Sequence, residues 1–310
     1  MSLSRGFFAR VSLQTSDKGA TVATVNTAVA PQNPSVSLDK VRLALLGVGN
    51  MGEAVLAGSL RAGIHPQNIS AAEPSLGRGK AIQQRYGVTV TASNVEAVDG
   101  ADVVIVAVKP RDVAPVLREI GQAITPHTVV VSVAAGLSTE FLESHLPAKT
   151  SVVRVMPNTP AAIGAGMSAV SAGKFTTNYE VALVMAVMAG TGEMMEIPEA
   201  YQAAAGAVSG SGPAYMFYVL DALAEAGVAV GLPRHLAARL AVQTMLGSAR
   251  LIAETGEHPA LARERVSSPG GTTVQGLLAL DQAGVRAAFI AAVEAARDRT
   301  DEISEELEGR

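Results

Sequence analysis

Cysteine is absent from the 310 residues. That excludes disulfides, thiol nucleophiles and cysteine-ligated zinc, and it fits a reducing compartment, so the expected location is the cytoplasm. Charge is scarce too: 17% of residues are charged, the formal net charge is −4, and no long basic run occurs. Nucleic acid and anionic membranes are therefore not expected as partners. No window reaches the roughly 20 consecutive apolar residues that a membrane span needs. The most apolar stretch, VALVMAVMAG (Val181–Gly190), is too short and reads as a buried helix. Metal-binding spacings are also missing. His65, His127, His145, His235 and His258 are scattered without an H-x-x-x-H pair, so no metal is expected. His235 and His258 read as surface or helix-capping groups.

What is present is apolar and alanine-rich. Hydrophobic residues make up 48% of the chain, which calls for much buried helical surface and suits close helix packing and a subunit interface. The length accommodates two domains. Residues 1–39 are rich in Ser, Thr and Ala and unpatterned, and are expected to be a disordered N-terminal extension. The alternative is a targeting peptide, since Arg5 and Arg10 flank Phe7 and Phe8 with no acid before Asp17.

From Lys40 the pattern becomes periodic. VRLALLGVGNMGEAVLAGSLRAG predicts a buried strand at Val41–Leu46, a glycine turn, and a helix to about Ala62. NISAAEP predicts a second strand, GRGKAIQQRYG a helix, and VTV a short strand. ADVVIVAVKP, PHTVVVSVAAG and TSVVRVMPNTP read as strands buried on both faces. Strands alternating with helices predict an α/β, Rossmann-like, doubly wound sheet over residues 40–200. After a last strand–helix–strand passage ending at GEMMEIP, helical patterns dominate: Pro213–Val230, Pro233–Thr255, Thr273–Gln282 and Arg286–Leu307. An all-α domain over residues 201–310 follows.

GVGNMG places Gly47, Gly49 and Gly52 in G-x-G-x-x-G register. The first glycine permits the tight turn, the second the approach of a pyrophosphate, and the third close helix–strand packing. A preceding strand, a following helix and an acid at the end of the next strand supply the context that makes the pattern informative. That acid, Glu73, favours NADH by accepting from the ribose hydroxyls, whereas Arg78 and Lys80 just beyond could hold the 2′-phosphate of NADPH. The donor is left as NADPH or NADH. AVKP (Ala107, Val108, Lys109, Pro110) and VAAG, with Val133, Ala134 and Ala135, are small-residue turns suited to frame a cofactor. MPNTP sets Asn158 and Thr159 in a rigid polar corner.

A second donor-rich feature lies late in the chain. In SSPGGTT, Ser268 and the Gly270–Gly271 turn lead into a helix whose first amides are those of Gly271, Thr272 and Thr273. A carboxylate fits such a helix start, held by backbone donors and the dipole. SGSGPAY, with Ser209–Gly212, reads as a similar N-cap with exposed amides. No histidine or lysine stands where an alcohol-oxidising base is needed. Reduction of an already protonated C=N bond needs less, because the iminium is its own electrophile and positioning supplies most of the catalysis.

From about Val41 to Leu307 the chain resembles the pyrroline-5-carboxylate reductase family. LLGVGNMG, VAVKP, VVVSVAAG, VRVMPNTP, SGSGPAYMF, GLPRHLAARLA and above all VSSPGGTTVQGLLALD carry the resemblance. It implies reduction of L-1-pyrroline-5-carboxylate to L-proline with NAD(P)H, the last step of proline biosynthesis. It also implies a helical domain that interleaves with a partner's in a homodimer, assembling further into decamers in several members. Under it Leu46, Gly47, Val48, Gly49, Asn50 and Met51 cradle the pyrophosphate, and Asn94 lies by the adenosine ribose or its phosphate. Ala107–Pro110 and Val133–Ala135 flank the cofactor. Thr272 and Thr273 hold the substrate, with the Thr273 hydroxyl, the one catalytic candidate, near the ring nitrogen. Two positions depart from the pattern. Glu73 stands where NADPH-preferring members often carry Ser or another small polar residue, and Gly256 stands where some members carry an acid near the substrate. A β-hydroxyacid dehydrogenase shares the two-domain plan, but Met216 occupies the place of its general-base lysine. A non-catalytic dinucleotide sensor would have no use for the second site.

Overall fold

The first buried strand shows why the chain folds as it does. Leu43 and Leu45 enter one hydrophobic cluster, and Ala44 and Leu46 the opposite one. Val103 and Ile105 repeat this against Val104 and Val106. Successive side chains point to opposite faces of a strand, so a continuous apolar run requires cover on both sides.

The computed structural model describes residues 10–15, 21–26 and 36–309. Strands β1 (Arg10–Thr15) and β2 (Thr21–Asn26) pair antiparallel, apart from the main sheet. The remainder of residues 1–35, and with it most of the expected extension, lies outside the described residues.

The main sheet contains β3 (Leu43–Leu46), β4 (Ile69–Ala72), β5 (Thr89–Thr91), β6 (Val103–Val106), β7 (Val129–Ser132), β8 (Ser151–Met156), β9 (Gly166–Ala172) and β10 (Gly192–Glu196). Its spatial order is β10-β9-β8-β7-β6-β3-β4-β5. Strands β3 to β8 form the doubly wound, parallel Rossmann arrangement that the sequence predicts. β9 runs antiparallel to β8, and β10 is parallel to β9. Helices α1 (Asn50–Ala62), α2 (Leu76–Tyr86) and α6 (Asn178–Met188) cover one face. Helices α3 (Asn94–Val98), α4 (Pro110–Ile120) and α5 (Thr139–Ser144) cover the other.

Beyond β10 the chain is helical: α7 (Gln202–Ala205), α8 (Gly212–Ala229), α9 (Arg234–Thr255), α10 (Pro259–Arg265), α11 (Thr272–Gln282) and α12 (Val285–Glu308). α8 packs on α9, and α11 on α12. α12 also returns to the sheet domain. Leu307 joins the core there, and the Ser138 N–H donates to Glu308 Oε1 at 2.6 Å. Val181–Met188 in α6 is buried along most of its length, in keeping with the helix expected there. Among the described residues no single helix is long and apolar enough to cross a membrane. The pair α11 and α12 reaches that composition only together, across a 49° bend.

Two sequence expectations are corrected. α10 was not expected, although His258 caps it by accepting from the Ala260 N–H and Pro259 opens it. Ser209–Gly212 is not an N-cap with free amides. A π turn over Gly206–Gly210 joins α7 to α8, and the Ser211 N–H donates to Gly206 O at 2.9 Å. The helix runs through because Gly206 and Gly210 pass close over Met156, and a Cβ at Gly210 would stand 2.8 Å from Met156 Cε. Asn158 fixes the widened turn by donating to Ser209 O at 3.1 Å.

Candidate active site

The carboxyl ends of β3 and β6 lie side by side where the strand order reverses, the place where ligands bind in sheets of this kind. After β3 the chain turns at Gly47, whose φ of +89° is in the left-handed region that favours glycine. A Cβ there would come within 2.9 Å of Val108 Cγ1 and 3.1 Å of Ala107 O. The turn ends at Gly49, the N-cap of α1, which has no side chain to satisfy the first amides of the helix. At Gly52 a Cβ would overlap Gly47 O, so the helix sits as close to the turn as glycine allows. At Gly49 the nearest atom to a Cβ is Arg78 Nη1, 3.8 Å away. The result is a tight, open-mouthed turn at the positive end of a 13-residue helix. It suits a pyrophosphate.

The ladder carries the neighbouring loops to the same edge. The Gly47 N–H donates to Ala72 O, the Ala107 N–H to Leu46 O, and the Val133 N–H to Val106 O. Leu46–Gly52, Ala107–Pro110 and Val133–Ala135 therefore lie in adjacent loops. Lys109 is exposed at the N-cap of α4, and Ala134 is buried under the edge. Asn94 opens α3 after β5, where its amide donates to Glu119 Oε2 at 2.8 Å. Glu73 follows directly on β4, with Oε1 accepting from the Ser75 N–H at 3.0 Å. The residues present fit a dinucleotide along this edge.

The second group of expected residues is elsewhere. Gly270 turns with φ +71°, Gly271 is the N-cap of α11, and Ser268 lies beneath it. The Gly271 N–H is spent on Ser268 O at 2.9 Å, which removes it from the three amides expected to face an anion. The first-turn amides of Thr272 and Thr273 have no intrahelical acceptor, and both residues are exposed. Within the chain α11 packs chiefly on α12, with no comparable packing on β3 or α1 among the described residues.

The helical part shows unusual apolar exposure. Tyr218 is 78% exposed, Phe217 61%, Leu246 59% and Leu240 57%, all on α8 and α9. Such a face marks an interaction surface. Two junction features lie between the sheet and these helices. Asn158, 9% exposed, donates to Ser209 O and accepts from the Met167 N–H at 3.0 Å. Arg154 pairs with Glu199 at 3.1 Å, and Glu199 also takes the Thr139 N–H and hydroxyl. MPNTP signalled the first. The second joins residues 45 apart and has no local signal.

Residues 199–303 match the family model for pyrroline-5-carboxylate reductase dimerisation, and residues 42–136 that for NADP oxidoreductase, coenzyme F420-dependent. Among solved structures, a pyrroline-5-carboxylate reductase from Coxiella burnetii is similar with TM-score 0.81 and 33% identity, covering 86% of this chain and 99% of that one. The Plasmodium falciparum pyrroline carboxylate reductase with NADP bound has TM-score 0.78 and 29% identity, over 86% of this chain and 100% of that one. The pyrroline-5-carboxylate reductase of Corynebacterium melassecola is 42% identical over 264 residues, 84% of this chain and 98% of the relative. With both parts of the chain matched, and one relative matched over almost its entire length, this chain belongs to the pyrroline-5-carboxylate reductase family.

Proposed function

We propose that this chain reduces L-1-pyrroline-5-carboxylate to L-proline, the last step of proline biosynthesis, in a site that two protomers complete. The observation that carries this reading is a separation within the chain. A dinucleotide turn and an exposed helix start of the family's type lie apart in one protomer, which also presents a bare apolar face on α8 and α9. A two-fold dimer across that face buries it and lets α11 of one protomer meet the carboxyl edge of the other. Assembly into decamers and a cytoplasmic location belong to the same reading, supported by the family resemblance and the cysteine-free sequence.

The turn Leu46–Met51, with Gly52 beneath it, holds the pyrophosphate on the α1 amides. Ala107–Pro110 and Val133–Ala135 provide small walls beside it. NAD(P)H, when bound, supplies the hydride. The Thr272 and Thr273 amides hold the substrate carboxylate, with the dipole of α11 behind them. The Thr273 hydroxyl bonds the ring nitrogen and fixes which face of the C=N bond is presented. Hydride adds to the ring carbon, the C=N π pair becomes a lone pair on nitrogen, and the proton on the iminium stays there as the amine forms. Positioning and dry surroundings are the chain's contribution.

Purified protein is expected to oxidise reduced nicotinamide when pyrroline-5-carboxylate is added, with proline formed in equal amount. Absence of turnover with both NADH and NADPH would refute the reading.

A further inference from the structure

The residues at the end of β4 bear on which dinucleotide this chain takes, and their assignment rests on reading the carboxyl edge as a dinucleotide site. An acid in this place ordinarily accepts from the two ribose hydroxyls and repels a 2′-phosphate. Glu73 is engaged differently. Its Oε1 accepts from the Ser75 N–H, two residues ahead, at 3.0 Å. Ser75 is the N-cap of α2 and makes no side-chain cap of its own, and the first turn of α2 has no acid. Glu73 therefore closes the β4–α2 turn in place of a cap, its charge set toward the positive end of α2.

Arg78 reaches the opposite way. From the third residue of α2 its guanidinium extends back over the glycine turn, with Nη1 3.4 Å from Val48 O and 3.8 Å from a Cβ placed at Gly49. Its side chain is exposed, and among the described residues it bonds to that carbonyl and to no carboxylate. A Cβ at Gly77, the preceding residue, would meet nothing within 4 Å. A cation thus spans the mouths of the β3–α1 and β4–α2 loops, whereas one oxygen of Glu73 is turned to the backbone of its own loop.

We propose that Arg78 selects the phosphorylated dinucleotide and makes NADPH the preferred donor, with Glu73 as a turn-capping carboxylate. Guanidinium matches phosphate with paired, charge-assisted hydrogen bonds, and a ribose hydroxyl offers nothing comparable.

The test is direct binding to the full chain by calorimetry at fixed ionic strength, with adenosine 2′,5′-bisphosphate and adenosine 5′-monophosphate as probes. The wild type is expected to bind the bisphosphate about tenfold or more tightly than the monophosphate, the yield of a charged hydrogen bond. Arg78→Gln should abolish that difference while leaving monophosphate affinity in place. Lys80→Gln and Glu73→Gln should keep it. Equal binding of the two probes by the wild type, a preference surviving in Arg78→Gln, or one lost in Lys80→Gln would overturn the assignment. Failure of both probes to bind would overturn the dinucleotide reading, and this assignment with it.

Discussion

Replacing Gly49 with Asp sets helix stability against cofactor binding, and the structure fixes the sign of each. Gly49 is the N-cap of α1 with φ −69° and ψ −168°, a conformation any residue adopts. The only atom within 4 Å of an added Cβ is Arg78 Nη1, on a flexible side chain. Asp is a favoured N-cap and exceeds Gly there by a few tenths of a kcal/mol, with about 0.3–1 kcal/mol more from the dipole. Folding should therefore be unchanged or slightly improved. Binding should collapse, because the new carboxylate occupies the approach to the helix start. A unit charge about 4 Å from a pyrophosphate charge costs roughly 4 kcal/mol at an effective dielectric of about 20. Pairing of the new Asp with Arg78 adds to the loss. We expect NADPH affinity to fall by about a hundredfold or more after allowance for salt, read by calorimetry, with the urea midpoint equal to or above that of the wild type. If no dinucleotide bound at this turn, Gly49→Asp would keep the capping effect on the urea midpoint and leave NADPH affinity unchanged. Affinity within about threefold of the wild type would thus refute the site.

Gly52→Ala should act sterically instead, since its Cβ overlaps Gly47 O. We expect a loss of about 1–3 kcal/mol in urea unfolding together with weaker dinucleotide binding, where Ala at an unhindered helical position would stabilise. Asn158→Ala removes the partners of Ser209 O and the Met167 N–H at a buried site. It should cost about 2–4 kcal/mol in the same assay, and a loss below about 1 kcal/mol would show that the π turn stands without it. Thr273→Val should lower kcat with pyrroline-5-carboxylate at unchanged NADPH affinity, and an unchanged rate would remove the hydroxyl from the mechanism. Burial raises the Glu180 carboxyl, but the Thr177 N–H and the Ser151 and Thr177 hydroxyls together hold it below its ordinary 4.5. Its stabilisation is present above that value and lost as pH falls through the lowered one, so the urea midpoints of wild type and Glu180→Gln should converge in acid.

Much of the sheet was legible because β3, β6, β7 and β8 are buried on both faces, which leaves continuous apolar runs. Strand direction was less so. β9 turns antiparallel because only a short 3-10 turn, Thr159–Ile163, links it to β8, too short for a parallel crossover. SGSG reads as an N-cap with exposed amides, yet a helical turn runs into it, since an alanine run precedes it and Asn158 and Met156 hold it from β8. α10 carried its own signal in His258 and Pro259, hidden between two stronger helical patterns. At the site, spacing placed the glycine turn on the sheet edge, but it could not say that Glu73 bends toward Ser75 and Arg78 toward Val48. Side-chain direction at exposed loops depends on contacts between elements. The loss of the Gly271 amide to Ser268 O is instead a local turn bond between backbone groups three residues apart.

In the proposed dimer, one protomer's glycine turn works with the partner's Thr273. Gly49→Asp and Thr273→Val chains, each weakly active as a homodimer at limiting NADPH, should be unfolded together and refolded at equal concentration. In a composite site half the dimers are mixed, and each has one intact pair, so activity should return to about a quarter of the wild type. No recovery, with mixed dimers demonstrated by a tag on one chain, would place both residues in the same protomer's site and contradict the account.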